Sequence, residues 1–162
     1  MSTGAAHTSW WQIGEVVFGV PLLAAIVLQR IAPLSFTDSL LTFPLIIIGV
    51  IFCIVGTFLI ISTRRIFSKH RQPTDPGLST SFIVDTGVFS VSRNPMYLGA
   101  VCFLVGIALI FKLTWMFIFF VPTLIACYLI LILPEERYLA TKFGAEYQKY
   151  TASVSRWVGR KR

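Results

Sequence analysis

The chain is 162 residues long, 56% of them hydrophobic and 13% charged, with a mean hydropathy of +0.78. A soluble domain usually carries about a quarter charged residues, so the composition argues against one and for a single compact membrane-embedded domain over residues 1–162. The net charge of +7 then suits anionic lipid head groups rather than nucleic acid.

Residues 10–28 are apolar except for Gln12 and Glu15, and form the first predicted span. Residues 43–61 carry no charge and form the second. The polar stretch 62–95 that follows is too long for a plain helix connection. Its Pro73, Pro76 and Gly77 argue against one continuous helix. Within it, "SFIVDTG" reads as a short extended run entering a turn at Asp85-Thr86-Gly87. Residues 96–111 are apolar but cover only about 24 Å at about 1.5 Å per residue. Residues 113–133 are apolar and uncharged. A bilayer core of about 30 Å takes about 20 helical residues, so the second and fourth segments span comfortably, while the first and third start in the interface. The expected fold is all-α, a polytopic membrane protein with about four transmembrane helices. Pro44 stands near the start of its segment, where a missing N–H costs little. Pro122 lies mid-span and predicts a kink, with a freed carbonyl available to a Thr hydroxyl or a neighbouring helix.

In the tail, residues 134–162, the side chains Leu139, Phe143, Tyr147, Tyr150, Val154 and Trp157 recur at helical spacing. They mark one apolar face of an amphipathic helix, or of two helices broken near Gly144. That face can lie on the membrane surface, pack on the bundle, or do both. Of the 14 Lys and Arg residues, all but Arg30 and Lys112 fall in the loop 62–95 or in the tail. Basic loops stay cytosolic, so both termini, the loop and the tail are expected there. No Lys or Arg precedes Arg30, and a cleaved signal peptide is not expected. Cys53, Cys102 and Cys127 lie inside apolar segments and read as reduced packing residues. His7 and His70 lack metal-ligand spacing, so no metal site is expected.

Two polar clusters stand out against this background. In "VSRNPMYLG", Arg93, Asn94 and Tyr97 meet the start of an apolar run. In "LPEER", Glu135 and Glu136, two of only seven acidic residues, directly follow an uncharged span on the same side. Carboxylates also suit a helix N-terminus. Polar groups at the mouth of a bundle are by default a binding-site hypothesis. A ligand with an apolar end in lipid and a charged end in water would fit them.

The order "DTGVFSVSRNPMYLG", a hairpin of two spans, then "PEERYLATKFGAEYQKYTASVSRW" resembles the isoprenylcysteine carboxyl methyltransferase and phospholipid methyltransferase superfamily. The family pattern is a Gly-x-Tyr turn, Arg-His-Pro-x-Tyr-x-Gly, a transmembrane hairpin, Glu-Glu, then Phe-Gly-x-Glu-Tyr. The resemblance covers roughly the last 90 residues. It implies a membrane enzyme that takes a methyl group from S-adenosylmethionine, leaving S-adenosylhomocysteine. The cofactor would lie between the loop and the C-terminal helices at the cytosolic helix ends. Carried over by position, Ser81, Phe82, Ile83 and Val84 would line it. Phe89 takes the place of the turn tyrosine, and Asn94, Pro95, Met96 and Tyr97 would contact the methionine and adenosine portions. Glu135 matches the cofactor-binding glutamate. Arg93, Glu136 and Arg156 are the catalytic candidates: Arg93 for the cofactor carboxylate or an anionic head group, Glu136 as the base if the acceptor is an amine, and Arg156 for a substrate carboxylate.

Asn94 and Ser81 stand where prenylcysteine enzymes have histidine. Leu131 stands where they carry a substrate arginine, so the acceptor implied is lipid-like but a poor match to prenylated cysteine. The alternatives are a phospholipid amine N-methyltransferase and, from another class, a non-catalytic lipid-binding four-span protein. A small multidrug carrier fits less well, since the interiors of the last three spans carry no charge.

Overall fold

The computed structural model describes residues 14–35, 39–70 and 81–161. Residues 10–13 of the first predicted span, together with His7, Pro73, Pro76 and Gly77, lie outside them. Within them the chain is all-α: α1 Gly14–Ile31, α2 Ser39–Lys69, α3 Pro95–Ile110, α4 Thr114–Ala126, α5 Leu133–Phe143 and α6 Ala145–Ser153. A π-helical turn, Cys127–Ile132, joins α4 to α5, so helix runs unbroken over Thr114–Phe143. Among the described residues, three helical stretches, Gly14–Ile31, Leu41–Lys69 and Thr114–Phe143, are long and apolar enough to cross a membrane. The apolar α3 is shorter, at 16 residues.

Helix α2 continues past the apolar run that ends at Ile61, through Ser62–Lys69. Helix needs no apolar run, only satisfied backbone, and Thr63 in this extension is fully buried with its hydroxyl donating to the Leu59 carbonyl at 2.8 Å. The stretch after Ser81 forms no strand among the described residues; a 3₁₀ turn, Gly87–Ser90, leads it into α3. Pro95 opens α3, where its missing N–H would have had no helical partner.

Glycines set the contact between the antiparallel α2 and α3. A Cβ on Gly56 would stand 2.6 Å from the Gly99 carbonyl oxygen, and one on Gly106 would stand 2.6 Å from that of Gly49. Backbone therefore meets backbone at two levels one heptad apart. In lipid there is no hydrophobic gain in bringing two apolar helices together, so close backbone packing is the main attraction. Helix α1 instead packs on α4. The core formed there contains Val17, Phe18 and Ala25 of α1, Met116 of α4, and Cys127, Leu131 and Ile132 of the π turn, with Leu104 and Ala108 of α3. At the end of the bundle away from α5, Trp115 Nε1 donates to the Ala32 carbonyl at 2.8 Å and Thr114 Oγ1 to the Leu34 carbonyl at 2.9 Å.

Helix continues through Pro122, whose missing N–H leaves the Ile118 carbonyl without its helical donor. The next residue, Thr123, donates its Oγ1 hydroxyl to its own i−4 carbonyl, that of Phe119, at 2.8 Å. Pro134 is a second interruption, since it too lacks an N–H. The π turn runs up to it, and Leu133 N–H donates back five residues to the Tyr128 carbonyl. Such a turn inserts one extra residue into the helix, which rotates everything beyond it by about 100°. The tail forms two helices, broken at Gly144, whose φ of 50° suits glycine. Its apolar face packs inward: Tyr147, Tyr150 and Val154 form a small core with Ile83, Leu139 and Phe143.

The glycine contact gives a direct test. Gly56→Ala should lower the thermal unfolding midpoint of detergent-solubilised protein, by an overpacking cost of about 1–3 kcal/mol. Gly19→Ala, with no atom within 4 Å of the added carbon, should leave the midpoint unchanged or raise it.

Candidate functional site

The two clusters singled out in sequence meet at one end of the bundle. Consecutive helical residues point about 100° apart, so Glu135 and Glu136 at the start of α5 serve different neighbours. Glu135 turns to α3, where Tyr97 Oη donates to its Oε2 at 3.1 Å. Glu136 turns to the loop and the segment after α6. Arg156 Nε and Nη2 donate to its two oxygens at 2.9 and 2.7 Å, a bidentate fork. Arg93 Nη1 lies 3.2 Å from the same carboxylate, with side-chain exposures of 9% for Arg93 and 13% for Glu136. One carboxylate therefore joins two guanidiniums that are far apart in sequence.

Further contacts complete the arrangement. The Arg156 guanidinium lies over the Tyr128 ring of the π turn, 5.1 Å from its centroid, a favourable cation–π placement. Arg93 Nη1 also donates to Tyr147 Oη at 3.4 Å. Arg93 Nε is buried with no hydrogen-bond partner among the described residues. Asn94 is buried; its Nδ2 donates to the Arg156 carbonyl at 3.2 Å, and its N–H donates to Ser92 Oγ at 3.1 Å. Tyr150 Oη donates to the Phe89 carbonyl at 2.8 Å.

The electrostatics follow from these neighbours. The hydrogen bonds to Glu136 raise the pKa of Arg156, against the opposing effect of burial, so the guanidinium stays charged. Burial, together with the nearby Glu136 charge, pushes the Tyr147 phenol up to about 12, although Arg93 pulls the other way. Burial likewise raises the Tyr150 phenol.

The structure gathers Arg93, Asn94, Pro95, Met96, Tyr97, Glu135, Glu136 and Arg156 at this end. Phe89 is buried and stacks on Phe67 with ring centroids 5.2 Å apart. Val84 is buried and Ile83 joins the tail core. Ser81 and Phe82 are exposed, and the Phe82 ring meets His70 edge-on at 5.4 Å. Leu131 is 1% exposed inside the apolar core, where an arginine would have to bury a charge. Sequence reasoning missed Ser92, fully enclosed, and Tyr147 and Tyr150 as hydrogen-bonding groups. Their helical spacing marked them only as part of an apolar face.

A model of the phospholipid methyltransferase family matches residues 44–146, well over half of the chain. The chain belongs to that family. The match runs from α2 into the first residues of α6 and takes in both polar clusters; Arg156 lies beyond it. No curated protein and no solved structure matches the chain. Membership in the phospholipid methyltransferase family implies a methyltransferase, and the long apolar helices place it in a membrane.

The raised phenol of Tyr147 predicts a pH dependence. Its folded-state pKa of about 12 lies above the ordinary value of 10.0, so above pH 10 the unfolded chain gives up this proton more readily than the folded one. Stability should fall as pH rises from about 10 to 12. The fall in thermal midpoint over that window should be shallower in Tyr147→Phe than in the unmodified protein.

Proposed function

We propose that the protein is an S-adenosylmethionine-dependent methyltransferase acting on a lipid-like acceptor at the cytosolic membrane face. The observation that carries this reading is the Tyr97–Glu135 hydrogen bond, 3.1 Å long, at the polar end of an apolar bundle beside the Arg93–Glu136–Arg156 cluster. S-adenosylmethionine carries an ammonium, a carboxylate and a sulfonium, so its site needs a carboxylate at one end and a cation or amide at the other.

The residues fit that requirement. Glu135 supplies the carboxylate and Tyr97 orients it. Arg93 supplies the cation, and its buried Nε, unpartnered among the described residues, is a donor awaiting an acceptor. A donor left in that state costs about 1–3 kcal/mol, which a ligand carboxylate would relieve. Asn94, Pro95 and Met96 line the first turn of α3 beside them, with Ser81–Val84 and Phe89 on the loop side. When bound, the cofactor supplies the electrophilic methyl group. This chain's residues align donor and acceptor and keep water out, which suffices for an in-line displacement.

The acceptor is read from what the site lacks. Leu131 is buried and uncharged, so the side chain that would hold a prenylcysteine carboxylate is missing. Glu136 is engaged by two guanidiniums and is better suited to holding the site together than to taking a proton. A phospholipid amine is the second reading, and the family description favours it.

Calorimetric titration with S-adenosylhomocysteine tests the cofactor. Glu135→Gln and Tyr97→Phe should each weaken binding by about tenfold or more, the order expected for a hydrogen bond to a charged group, with thermal unfolding still cooperative. Unchanged affinity in both variants would sink the assignment. For the acceptor, transfer of labelled methyl to phosphatidylethanolamine vesicles should exceed transfer to a farnesyl-cysteine analogue, and the reverse ranking would overturn the reading of Leu131.

A further inference from the structure

Beyond α6 the chain turns back on itself. Val154 and Arg160 form an antiparallel bridge, and Ser155 N–H donates to the Gly159 carbonyl at 2.9 Å. This strap, residues 154–161, lies outside the stretch matched by the family model. It is laid along the loop that enters α3. Arg93 N–H donates to the Ser155 carbonyl at 3.1 Å, and Gly159 N–H to the Val91 carbonyl at 2.8 Å. The Arg156 carbonyl accepts from Asn94 Nδ2 at 3.2 Å and from Ser92 Oγ at 3.4 Å. The strap thus satisfies polar groups of a loop in which Ser92 and Asn94 are buried, groups that would otherwise lack partners away from water. Among the described residues its side-chain ion pair is the fork from Arg156 to Glu136.

Glu136 is the residue after the proposed cofactor glutamate, on the first turn after the π segment. That position matters because the π turn makes the rotation of α5 a choice. If the extra residue were wound back into regular α-helix, α5 would rotate by about 100°, carrying Glu135 away from Tyr97. A fork on Glu136 from one side and Tyr97 on Glu135 from another fix that rotation at two points.

We propose that the strap closes the candidate site, and that Arg156 is a positioning residue acting through Glu136 to hold the α3-entry loop and the rotation of α5 that aims Glu135 at Tyr97. The cofactor half of this inference rests on the reading that Glu135 and Tyr97 bind S-adenosylmethionine. The strap half does not.

The experiment uses the full chain in detergent, with Arg156→Gln, Glu136→Gln and the double variant, each followed by two measurements. Amide hydrogen exchange over residues 88–94 reads the strap without any cofactor. Arg156→Gln should speed exchange of the Arg93 amide by about tenfold or more, the order expected when a charge-assisted fork is lost. Titration with S-adenosylhomocysteine reads the coupling. Arg156→Gln should weaken binding by a comparable factor, and in the Glu136→Gln background the same change should add little, which is non-additivity of residues acting as one unit.

Equal losses in both backgrounds would mean that Arg156 does not act through Glu136 and would overturn the positioning role. Unchanged affinity in Arg156→Gln, with the unmodified protein binding, would overturn it too and leave the cofactor reading standing. If the unmodified protein does not bind S-adenosylhomocysteine, the cofactor reading falls. Exchange then decides the strap alone: faster exchange in Arg156→Gln supports it, and unchanged exchange overturns it.

Discussion

A single carboxylate shared by two guanidiniums ties the polar end of this protein together. Glu136 takes a fork from Arg156 and a contact from Arg93, and so joins the loop entering α3, the start of α5 and the strap after α6. Arg93 and Glu136 are largely shielded from water, at 9% and 13% side-chain exposure. Arg156 is 36% exposed and its attraction is screened, so the Arg93–Glu136 contact is the buried pair. Removing one partner from a buried pair typically costs about 3–5 kcal/mol, because the other is left uncompensated. The neighbouring aromatic groups belong to the same arrangement. The Tyr128 ring receives the Arg156 guanidinium, and Tyr147 accepts from Arg93 while its own proton is held by burial and by the Glu136 charge.

The apolar body meets a different constraint. Hydrocarbon surroundings offer backbone groups no partners, so every spanning segment is helical, and they give apolar helices no hydrophobic reason to associate. The glycines of α2 and α3 answer with backbone contact at two levels, while α1 and α4 enclose the larger side chains of the core. The α2–α3 contact also has a consequence at the polar end. It fixes the start of α3 and therefore where Tyr97 stands. The position of Glu135 is set separately, by the π turn ahead of Pro134.

Much of this was written in the local order of residues. Uninterrupted apolar runs marked the helices, because in a membrane composition alone nearly decides helix. The regular recurrence from Leu139 to Trp157 marked one apolar face of the tail; that the tail breaks at Gly144 and that Tyr147, Tyr150 and Val154 turn inward was decided by the packing. The two polar clusters were legible because charge beside hydrocarbon is costly and therefore conspicuous. The extension of α2 to Lys69 was not legible, since the apolar run ends well before the helix does.

The sequence by itself determined the all-α membrane class, the approximate helices and the two polar clusters beside the apolar runs. Each of those follows from short-range rules of hydropathy, periodicity and motif order. Only the tertiary structure decided that Glu135 faces Tyr97 while Glu136 faces Arg93 and Arg156, and that the strap is laid along the α3-entry loop. Those outcomes depend on one extra residue in a π turn and on pairings between residues up to about sixty positions apart. No local pattern encodes which of several scarce charges will meet once the helices have packed.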